Sequence, residues 1–236
     1  MQVTVSSRAL SDDHERARSI CEIPGFKFLK RGDVDWGHPT LQVSRNGLVL
    51  KKDGQEYRWH PGLLHTRLEA GWTHPLVRSM ALCPGDRVLD CTLGMGIDAA
   101  FLAALTGVPV VALEIQPALA LLCSEGLRRA GHLVQVACAD ARSFIKILPD
   151  SSFDVVQGDP MFPEGTGVTR SLDVIRHVGC YEPLGMTWLA EARRVARKRV
   201  VVRDIAHGTL LERMEPDEIM NVGRGRPRYG IWYGSS

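Results

Sequence analysis

A glycine-containing segment that follows an apolar stretch is the first part of the sequence with residues suited to binding a ligand. It reads DCTLGMGID from Asp90 to Asp98 and leads into a second apolar stretch. Gly94 and Gly96 allow the backbone to turn tightly and to approach a bound group closely. Glu114 ends the next apolar stretch, where a carboxylate can accept hydrogen bonds from both hydroxyls of a ribose. The spacing predicts a site for an adenosine-containing ligand.

Two adenosine-containing cofactors are compatible with this loop. Gly94, Gly96 and Ala99 formally match the dinucleotide fingerprint, so an NAD-dependent oxidoreductase is one alternative. Sites for S-adenosylmethionine carry the pattern acid-x-Gly-x-Gly-x-Gly, and here Asp90 supplies the acid while Thr92 replaces the first glycine. A carboxylate near the loop suits a ligand with a positive amino group and a sulfonium, and it repels a pyrophosphate. We therefore predict S-adenosylmethionine, with a cap of the turn or helix as the structural alternative for Asp90.

A further acidic residue, Asp140, follows the third predicted strand of this part of the chain, Val134–Cys138. Its carboxylate is placed to accept a hydrogen bond from the amino group of an adenine. The same side chain is also suited to cap the helix that is predicted from Ala141. The two roles are compatible with each other.

A second motif, DPMFP from Asp159 to Pro163, follows the predicted strand Phe153–Gly158. Open parallel sheets bind their ligands at this end of a strand. The lone pair of an aryl amine is delocalised, so a carboxylate that accepts its N–H bonds favours the pyramidal nitrogen needed for attack. We predict that Asp159 does this, that Pro160 keeps the loop rigid and that Phe162 stacks on a base. The structural alternative is a proline-rich turn with Phe162 in the core.

Three segments together resemble a known family: VLDCTLGMGIDAAFLA, FDVVQGDPMFP and ARRVARKRVVVRD. They are similar to class I S-adenosylmethionine-dependent methyltransferases of the ribosomal small-subunit RNA guanine-N2 methyltransferase J family and its relatives. The resemblance covers roughly residues 80–233. It implies methylation of an exocyclic amino group of a nucleobase, with guanine N2 of small-subunit ribosomal RNA as the expected target.

The resemblance also implies a set of contacts to the methyl donor. After the glycine loop these contacts are Ile97 and Asp98, and at the end of the second strand they are Glu114 and Ile115. After the third strand they are Asp140 and Ala141, and the last is the motif aspartate, Asp159. Together with the loop residues Asp90, Thr92, Gly94 and Gly96, these residues make up the expected donor site.

Short Val-rich stretches alternate with amphipathic ones from Arg87 onward, which predicts a parallel sheet covered by helices on both faces. The strands are expected at Arg87–Cys91, Val108–Leu113, Val134–Cys138, Phe153–Gly158 and Arg199–Arg203, followed by Glu218–Val222 and Tyr229–Tyr233. The helices are expected at Asp98–Leu105, Pro117–Ala130, Ala141–Leu148 and Leu184–Ala196. With the resemblance, we expect an α/β, Rossmann-like class I methyltransferase fold: a mostly parallel seven-stranded sheet with an antiparallel last hairpin.

The first part of the chain is expected to form a small N-terminal α+β domain, residues 1–78, that covers the substrate, ahead of the methyltransferase domain, residues 79–236. It is mostly irregular and polar. A helix is predicted from Ser11 as N-cap to Ile20, and Asp53-Gly54 predicts a β-hairpin between two short strands. The sequence leaves open whether Trp59 and Trp72 belong to the core or face the substrate.

The composition excludes several classes of protein. A chain of 236 residues with 44% hydrophobic and 24% charged residues is typical of a soluble globular protein, not of a disordered or collagen-like one. The most apolar stretch, residues 99–123, is broken by glycine, proline and glutamate, so we expect no membrane span. Acidic residues near the N-terminus argue against a signal peptide, and we predict a cytoplasmic protein.

Cysteine and histidine residues show no spacing typical of a metal site. The six cysteines include no CxxC pair, and we expect them to be reduced, buried and structural. His60, His65 and His74 precede the first strand of the predicted sheet, and we expect them in loops or at the surface. No metal cofactor is therefore predicted.

Basic residues are concentrated toward the two ends of the chain. Residues 1–78 contain 12 Lys and Arg against 9 Asp and Glu, residues 79–189 contain 7 against 12, and residues 190–236 contain 10 against 6. The segment GRGRPR at Gly223–Arg228 is a candidate phosphate contact, and the family resemblance implies RNA as the partner. A small-molecule or protein amine as the acceptor, and a non-catalytic RNA-binding module, remain alternatives.

Overall fold

The computed structural model describes residues 1–160, 179–180, 182 and 184–234, and within them the strands form two β-sheets. The N-terminal sheet contains β1 (Gln2–Val5), β2 (Lys27–Phe28), β3 (Thr40–Ser44), β4 (Gly47–Lys52) and β5 (Gln55–Tyr57). The C-terminal sheet contains β6 (Val88–Asp90), β7 (Val110–Glu114), β8 (Val134–Cys138), β9 (Phe153–Gly158), β10 (Ala196–Asp204), β11 (Glu218–Asn221) and β12 (Arg228–Tyr233).

Helices connect and cover these strands. They are α1 (Ser11–Cys21), α2 (Leu64–Ala70), α3 (Pro75–Met80), α4 (Ile97–Thr106), α5 (Pro117–Arg129), α6 (Ala141–Phe144), α7 (Gly185–Val195) and α8 (Leu210–Met214). Short 3-10 turns occur at Arg31–Asp33, Gly71–Thr73 and Ile145–Ile147. The last of these turns continues α6, so the helix predicted over Ala141–Leu148 is one α-helical turn followed by a 3-10 turn.

The C-terminal sheet has the strand order β11-β12-β10-β9-β6-β7-β8. Its five strands from β6 to β10 pair in parallel, and β12 is antiparallel to both β10 and β11. Val200, Val201 and Val202 of β10 are at most 1% exposed, because helices cover both faces of the sheet. The structure therefore confirms the predicted seven-stranded, mostly parallel sheet with an antiparallel last hairpin.

The N-terminal sheet has more strands than the sequence indicated. The predicted hairpin is present as β4 and β5, and Asp53 (φ 49°) and Gly54 (φ 74°) both adopt the positive φ of its two-residue turn. However, β1 and β3 pair in parallel in the middle of a sheet with the order β2-β1-β3-β4-β5, where an irregular segment was expected. The predicted N-cap is also wrong, since the cap of α1 is Leu10, whose N–H donates to Asp13 Oδ2 at 2.9 Å.

The two sheets share packed residues. A single buried apolar cluster includes Val3 and Leu41 of the N-terminal sheet together with Leu119 and Leu122 of α5. Polar contacts cross the same boundary, because the N–H of Leu48 donates to Glu125 Oε2 at 2.9 Å. The N-terminal sheet is therefore held against one face of α5. In the described part of the chain, no helix is long and apolar enough to cross a membrane.

Candidate active site

The glycine loop between β6 and α4 requires glycine at two positions. Gly94 has a φ of 51° and Gly96 a φ of 72°, a region that L-residues with side chains rarely adopt. A Cβ atom on Gly96 would also lie 2.8 Å from Cδ1 of Leu127 in α5. The loop can therefore turn sharply into α4 only because neither position carries a side chain.

Neighbouring elements hold this loop from three sides. The N–H of Gly94 donates to Glu114 Oε2 at 3.2 Å, and the thiol of Cys123 donates to the Gly94 carbonyl at 3.1 Å. From the N-terminal region, the indole Nε1–H of Trp59 donates to the Met95 carbonyl at 2.9 Å. The loop is thereby fixed before any ligand binds, which lowers the entropic cost of binding.

Glu114 is the acidic residue best placed to bind a ribose. It ends β7 and is 8% exposed, and its two carboxylate oxygens accept from the N–H groups of Gly94 and, at 2.9 Å, Gln116. Burial raises the pKa of Glu114, and these two backbone donors act against that rise. A carboxylate has about four lone-pair sites, so roughly two remain for the vicinal hydroxyls of an adenosine ribose. The residues present here fit S-adenosylmethionine.

A cleft opens beside Glu114 at the carboxyl ends of the parallel strands. Eight of the predicted site residues line it: Thr92, Gly94, Glu114, Ile115, Asp140, Ala141, Asp159 and Pro160. The glycine loop, the end of β7, the segment after β8 and the segment after β9 are thus brought to one place. A cleft lined by converging backbone and carboxylate groups suits a ligand such as a cofactor.

Asp90 lies behind the wall of the cleft. It is fully buried, and its Oδ1 accepts from the N–H of Thr92 at 3.0 Å. The hydroxyl oxygen of Thr92 in turn accepts from the N–H of Asp159 at 2.6 Å. Burial raises the pKa of Asp90. Asp90 therefore fixes Thr92 and, through Thr92, the segment that begins at Asp159. Asp90 itself does not line the cleft.

Three other predicted donor residues also lie outside the cleft lining: Gly96, Ile97 and Asp98. Gly96 is the N-cap of α4, and Ile97 is 8% exposed and faces Gly62. The carboxylate of Asp98 is bound by the guanidinium of Arg67, which comes from α2. These residues position the loop and the start of α4.

Asp140 has the capping role and also lines the cleft. Its Oδ1 accepts from the N–H of Arg142 at 2.9 Å, and its carboxylate pairs with the Arg142 guanidinium at 2.8 Å. This hydrogen bonding with Arg142 lowers the pKa of Asp140. Arg142 also binds Glu182 on the far wall of the cleft. The arginine, which the sequence reasoning did not single out, thus connects the segment after β8 to the segment before α7.

Four charged side chains form a row beside the acceptor end of the cleft. Arg203 at the end of β10 contacts Asp159 Oδ2, and its Nη2 lies 3.5 Å from Asp98 Oδ2. Asp98 in turn pairs with Arg67, so cations and anions alternate along the row. Burial lowers the pKa of Arg67 to about 10, so the side chain remains a cation at neutral pH.

The sequence reasoning missed Arg67 and treated Arg203 only as part of a basic segment. The position of Arg203 was recoverable, because it ends the strand next to the one that Asp159 follows. No local signal indicates Arg67, which reaches the site from the N-terminal region.

Several predictions concern residues that lie outside the described part of the chain. Met161, Phe162 and Pro163 are among them, so the stacking role of Phe162 stays a prediction.

All six cysteines are free thiols, but only Cys91 and Cys123 are buried, which corrects the expectation that the other four are buried. Among the described residues, no group of three or more His, Cys, Asp and Glu side chains could hold a metal ion.

The fold and the cleft together define a class: a Rossmann-like enzyme that binds an adenosine-containing methyl donor at the carboxyl edge of its sheet. A family model described as "Putative SAM-dependent methyltransferase" matches residues 60–233. The chain belongs to this family of S-adenosylmethionine-dependent methyltransferases. The match confirms the predicted enzyme class and the predicted cofactor, and it excludes the NAD-dependent alternative.

Individual relatives support the same assignment. The chain is 35% identical to "Uncharacterized protein YpiP" of Bacillus subtilis, over 86% of this chain and 88% of the relative. It is 32% identical to "Ribosomal RNA small subunit methyltransferase J" of Alkalilimnicola ehrlichii, over 75% of this chain and 76% of the relative. A solved S-adenosylmethionine-dependent methyltransferase from Neisseria gonorrhoeae superposes with a TM-score of 0.70 over 100% of this chain and 97% of that one. At 21% identity that superposition shows the shared fold.

Proposed function

We propose that this enzyme methylates an exocyclic amino group of a nucleobase in RNA, with guanine N2 of small-subunit ribosomal RNA as the target. The observation that carries the proposal is the position of Asp159 at the acceptor end of the donor cleft. In the described part of the chain, Arg203 and the Thr92 hydroxyl hold Asp159, and only its Oδ2 has a side-chain partner. With respect to the described residues, Oδ1 is thus open to accept an N–H bond from an amine.

The chemistry asked of the protein is mainly positioning. S-adenosylmethionine supplies a methyl group made electrophilic by its sulfonium sulfur. Asp159 accepts an N–H bond of the incoming amine and so directs the nitrogen lone pair toward the donor cleft. With the donor bound, transfer of its methyl group would leave S-adenosylhomocysteine and a cationic amine nitrogen, and Asp159 Oδ1 would accept the proton that this nitrogen releases. Because Asp159 is 26% exposed, that proton can pass on to water. Such alignment alone can contribute about 7–11 kcal/mol.

The choice of RNA is supported by the relatives and by the charge of the surface. Relatives at 32% and 29% identity carry the name "Ribosomal RNA small subunit methyltransferase J". The last 47 residues, 190–236, carry 10 basic against 6 acidic residues, and part of this charge lies at the same edge of the sheet as Asp159. A protein that methylates ribosomal RNA in this way would act in the cytoplasm.

The second candidate is a methyltransferase that acts on a small-molecule or protein amine. The donor cleft and Asp159 would serve that reaction equally well. The two candidates differ in what they require around the cleft, since a small neutral acceptor has no use for an exposed cationic surface.

The experiment is a methyl-transfer assay with labelled S-adenosylmethionine and unmodified small-subunit ribosomal RNA, both naked and assembled into subunits. The RNA is digested to nucleosides, which are separated by chromatography. We expect the label in N2-methylguanosine, and we expect no label with the Asp159→Asn variant as the matched control. Label in another nucleoside would correct the target base, and label only in protein or small molecules would overturn the proposal.

A further inference from the structure

The turn between β11 and β12 projects from the same edge of the sheet as the active site. Asp204, at the carboxyl end of β10, pairs with Arg228 at the start of β12, and Asn221 at the end of β11 pairs with Arg228 as well. Residues 222–227 therefore lie beyond the edge at which β9 leads into Asp159. Since β9, β10 and β12 are adjacent and strands lie about 4.8 Å apart, the turn is about 10 Å across the sheet from the end of β9.

This turn carries arginines that differ in their bonding. Arg228 is tied to the protein, because its guanidinium lies 3.1 Å from Asp204 and 2.7 Å from Glu212. Arg224 and Arg226 are exposed and have no ion pair in the described part of the chain. The turn itself is closed by the N–H of Arg226, which donates to the Gly223 carbonyl at 3.1 Å. Two cationic side chains thus stand on a structured turn without an acidic neighbour in sequence.

Most of the other cations among residues 190–236 have acidic partners, whereas Arg199 donates to the Ser79 carbonyl and the exposed Arg213 donates to the Thr209 hydroxyl. Each of the following has an acidic partner within 3.5 Å: Arg193 with Asp217, Arg194 with Asp150 and Glu191, Arg197 with Asp154, Lys198 with Asp86, and Arg203 with Asp159. These pairs stabilise the sheet and the site. Within the predicted phosphate contact, Gly223–Arg228, Arg224 and Arg226 are therefore the two arginines without an acidic partner among the described residues.

An exposed indole lies at the same edge of the sheet. Trp72 is 42% exposed and belongs to the 3-10 turn between α2 and α3. On one side of it, α2 sends Arg67 to Asp98 at the acceptor end of the cleft. On the other side, α3 packs against β10 and against β12, the strand that begins after the basic turn. The indole N–H of Trp59 donates to the Met95 carbonyl, and Trp188 is buried. Of the tryptophans Trp59, Trp72 and Trp188, Trp72 is therefore the one whose ring is exposed to an external partner.

We propose that Trp72, Arg224 and Arg226 form the surface that binds single-stranded RNA next to the target nucleotide. Trp72 stacks on a flanking base, and the two arginines bind phosphates of the same strand. Aromatic platforms combined with cations are the usual means of holding unpaired RNA. An unpaired strand is also required for the amino group of a base to reach Asp159. This inference rests on the proposed function, because it specifies how the RNA acceptor is held.

The first test measures RNA affinity against salt concentration. A labelled, unstructured RNA of about 16 nucleotides is titrated with wild type, with the double variant Arg224→Gln/Arg226→Gln, and with a control double variant Arg18→Gln/Arg128→Gln. The control removes two exposed arginines that also lack ion pairs in the described part of the chain. Losing two phosphate contacts lowers the logarithmic salt slope by about 1.4, which is a roughly 25-fold loss of affinity at 0.1 M salt. The control is expected to match wild type.

The second test separates stacking from charge. Trp72→Ala is expected to weaken RNA binding at least about fivefold with an unchanged salt slope, and Trp72→Phe to retain most of the affinity. Retained binding of S-adenosylhomocysteine shows that each variant is folded.

Methyl transfer to ribosomal RNA, measured on the same proteins, distinguishes an error in the binding surface from an error in the proposed function. If wild type methylates RNA while the arginine and tryptophan variants bind it like the control, the surface is wrongly assigned and the proposed function stands. If wild type does not methylate RNA, the proposed function fails and this inference fails with it.

Discussion

Replacing Arg203 by methionine tests whether this arginine sets the geometry of the acceptor site. Arg203 contacts Asp159 Oδ2 and lies 3.5 Å from Asp98 Oδ2, while it does not line the donor cleft. Arg203→Met keeps an unbranched stem as far as the position of Nε but removes the guanidinium, which leaves two aspartates without their shared cation. Asp159 is then free to rotate away from the position in which Oδ1 meets the amine.

The size of the effect follows from burial. The side chains of Asp98, Arg203 and Asp159 are 13%, 22% and 26% exposed. Losing an exposed ion pair costs up to about 1 kcal/mol, whereas removing one partner of a buried pair costs about 3–5 kcal/mol. These partly buried side chains fall between the two cases. We expect the free energy of unfolding to fall by about 2 kcal/mol on this scale. A displaced catalytic group costs on the order of 100-fold in kcat.

The assays separate catalysis from donor binding. Rates of methyl transfer are measured under donor saturation, and calorimetry gives the affinity for S-adenosylhomocysteine. We expect kcat to fall about 100-fold while the donor affinity stays near wild type. Arg203→Lys should recover part of the rate, because it restores a cation with fewer contacts.

The matched control for this experiment is Arg199→Met, on the same strand. Arg199 donates to the Ser79 carbonyl at 2.8 Å and does not line the cleft, so its loss should leave kcat unchanged. A wild-type kcat for Arg203→Met, or a donor affinity that falls as much as kcat, would refute the positioning role.

Three further variants test the donor site and its supports. Glu114→Gln is expected to weaken S-adenosylhomocysteine binding by about 1.5–3 kcal/mol through lost charge-assisted hydrogen bonds, measured by calorimetry; unchanged affinity would remove Glu114 from the site. Asp90→Asn should raise the free energy of unfolding at neutral pH, because burial raises the pKa of Asp90 and the wild type loses stability as the pH rises through that pKa. Each unit by which folding raises the pKa corresponds to about 1.4 kcal/mol of stability. In urea unfolding, the difference in stability between Asp90→Asn and wild type should vanish below about pH 4. Gly126→Ala should lower the free energy of unfolding by about 1–3 kcal/mol despite the better helix propensity of alanine, because its Cβ would overlap both the ring and the Cβ of Trp59; the same change in a Trp59→Gly background, which removes both, should cost nothing.

The catalytic half of the fold was predictable because its sequence pattern is local. Strands β8 and β9 begin and end where their Val-rich stretches do, and the glycine pair marks the start of α4 within one residue. The antiparallel pairing of β11 with β12 followed from two short strands in tandem near the end of the sequence. Each of these signals lies within a short stretch of the chain, so a single sequence is enough to detect it.

The N-terminal sheet was not predictable in the same way. Its central strands β1 and β3 are four and five residues long, and they pair in parallel across more than 30 residues of intervening chain. No turn motif connects two such strands, so nothing in the local pattern indicates their partnership. They become strands because Val3, Leu41 and Val43 are buried against the rest of the fold.

For the site as well, the local sequence predicts some of the residues, and only the folded chain shows where the others lie. Glu114 and Asp159 were found from their places after predicted strands, which fixes which edge of the sheet they reach. The loop aspartate Asp90 was assigned from its motif to contact the donor, whereas the structure places it behind the cleft wall. Burial of that kind depends on the packing of β6 between β7 and β9. Likewise, only the folded chain brings Arg67 to Asp98.

The most direct measurement of the central claim is single-turnover methyl transfer by Asp159→Asn, with calorimetry of S-adenosylhomocysteine on the same protein. Asparagine keeps the shape of the side chain but replaces the carboxylate that accepts the amine N–H and its proton. We expect the rate of transfer to fall at least about 100-fold, while the donor affinity changes less than about tenfold, which is under about 1.4 kcal/mol. Transfer at the wild-type rate would contradict the account, because the acceptor amine would then be held by a group other than Asp159.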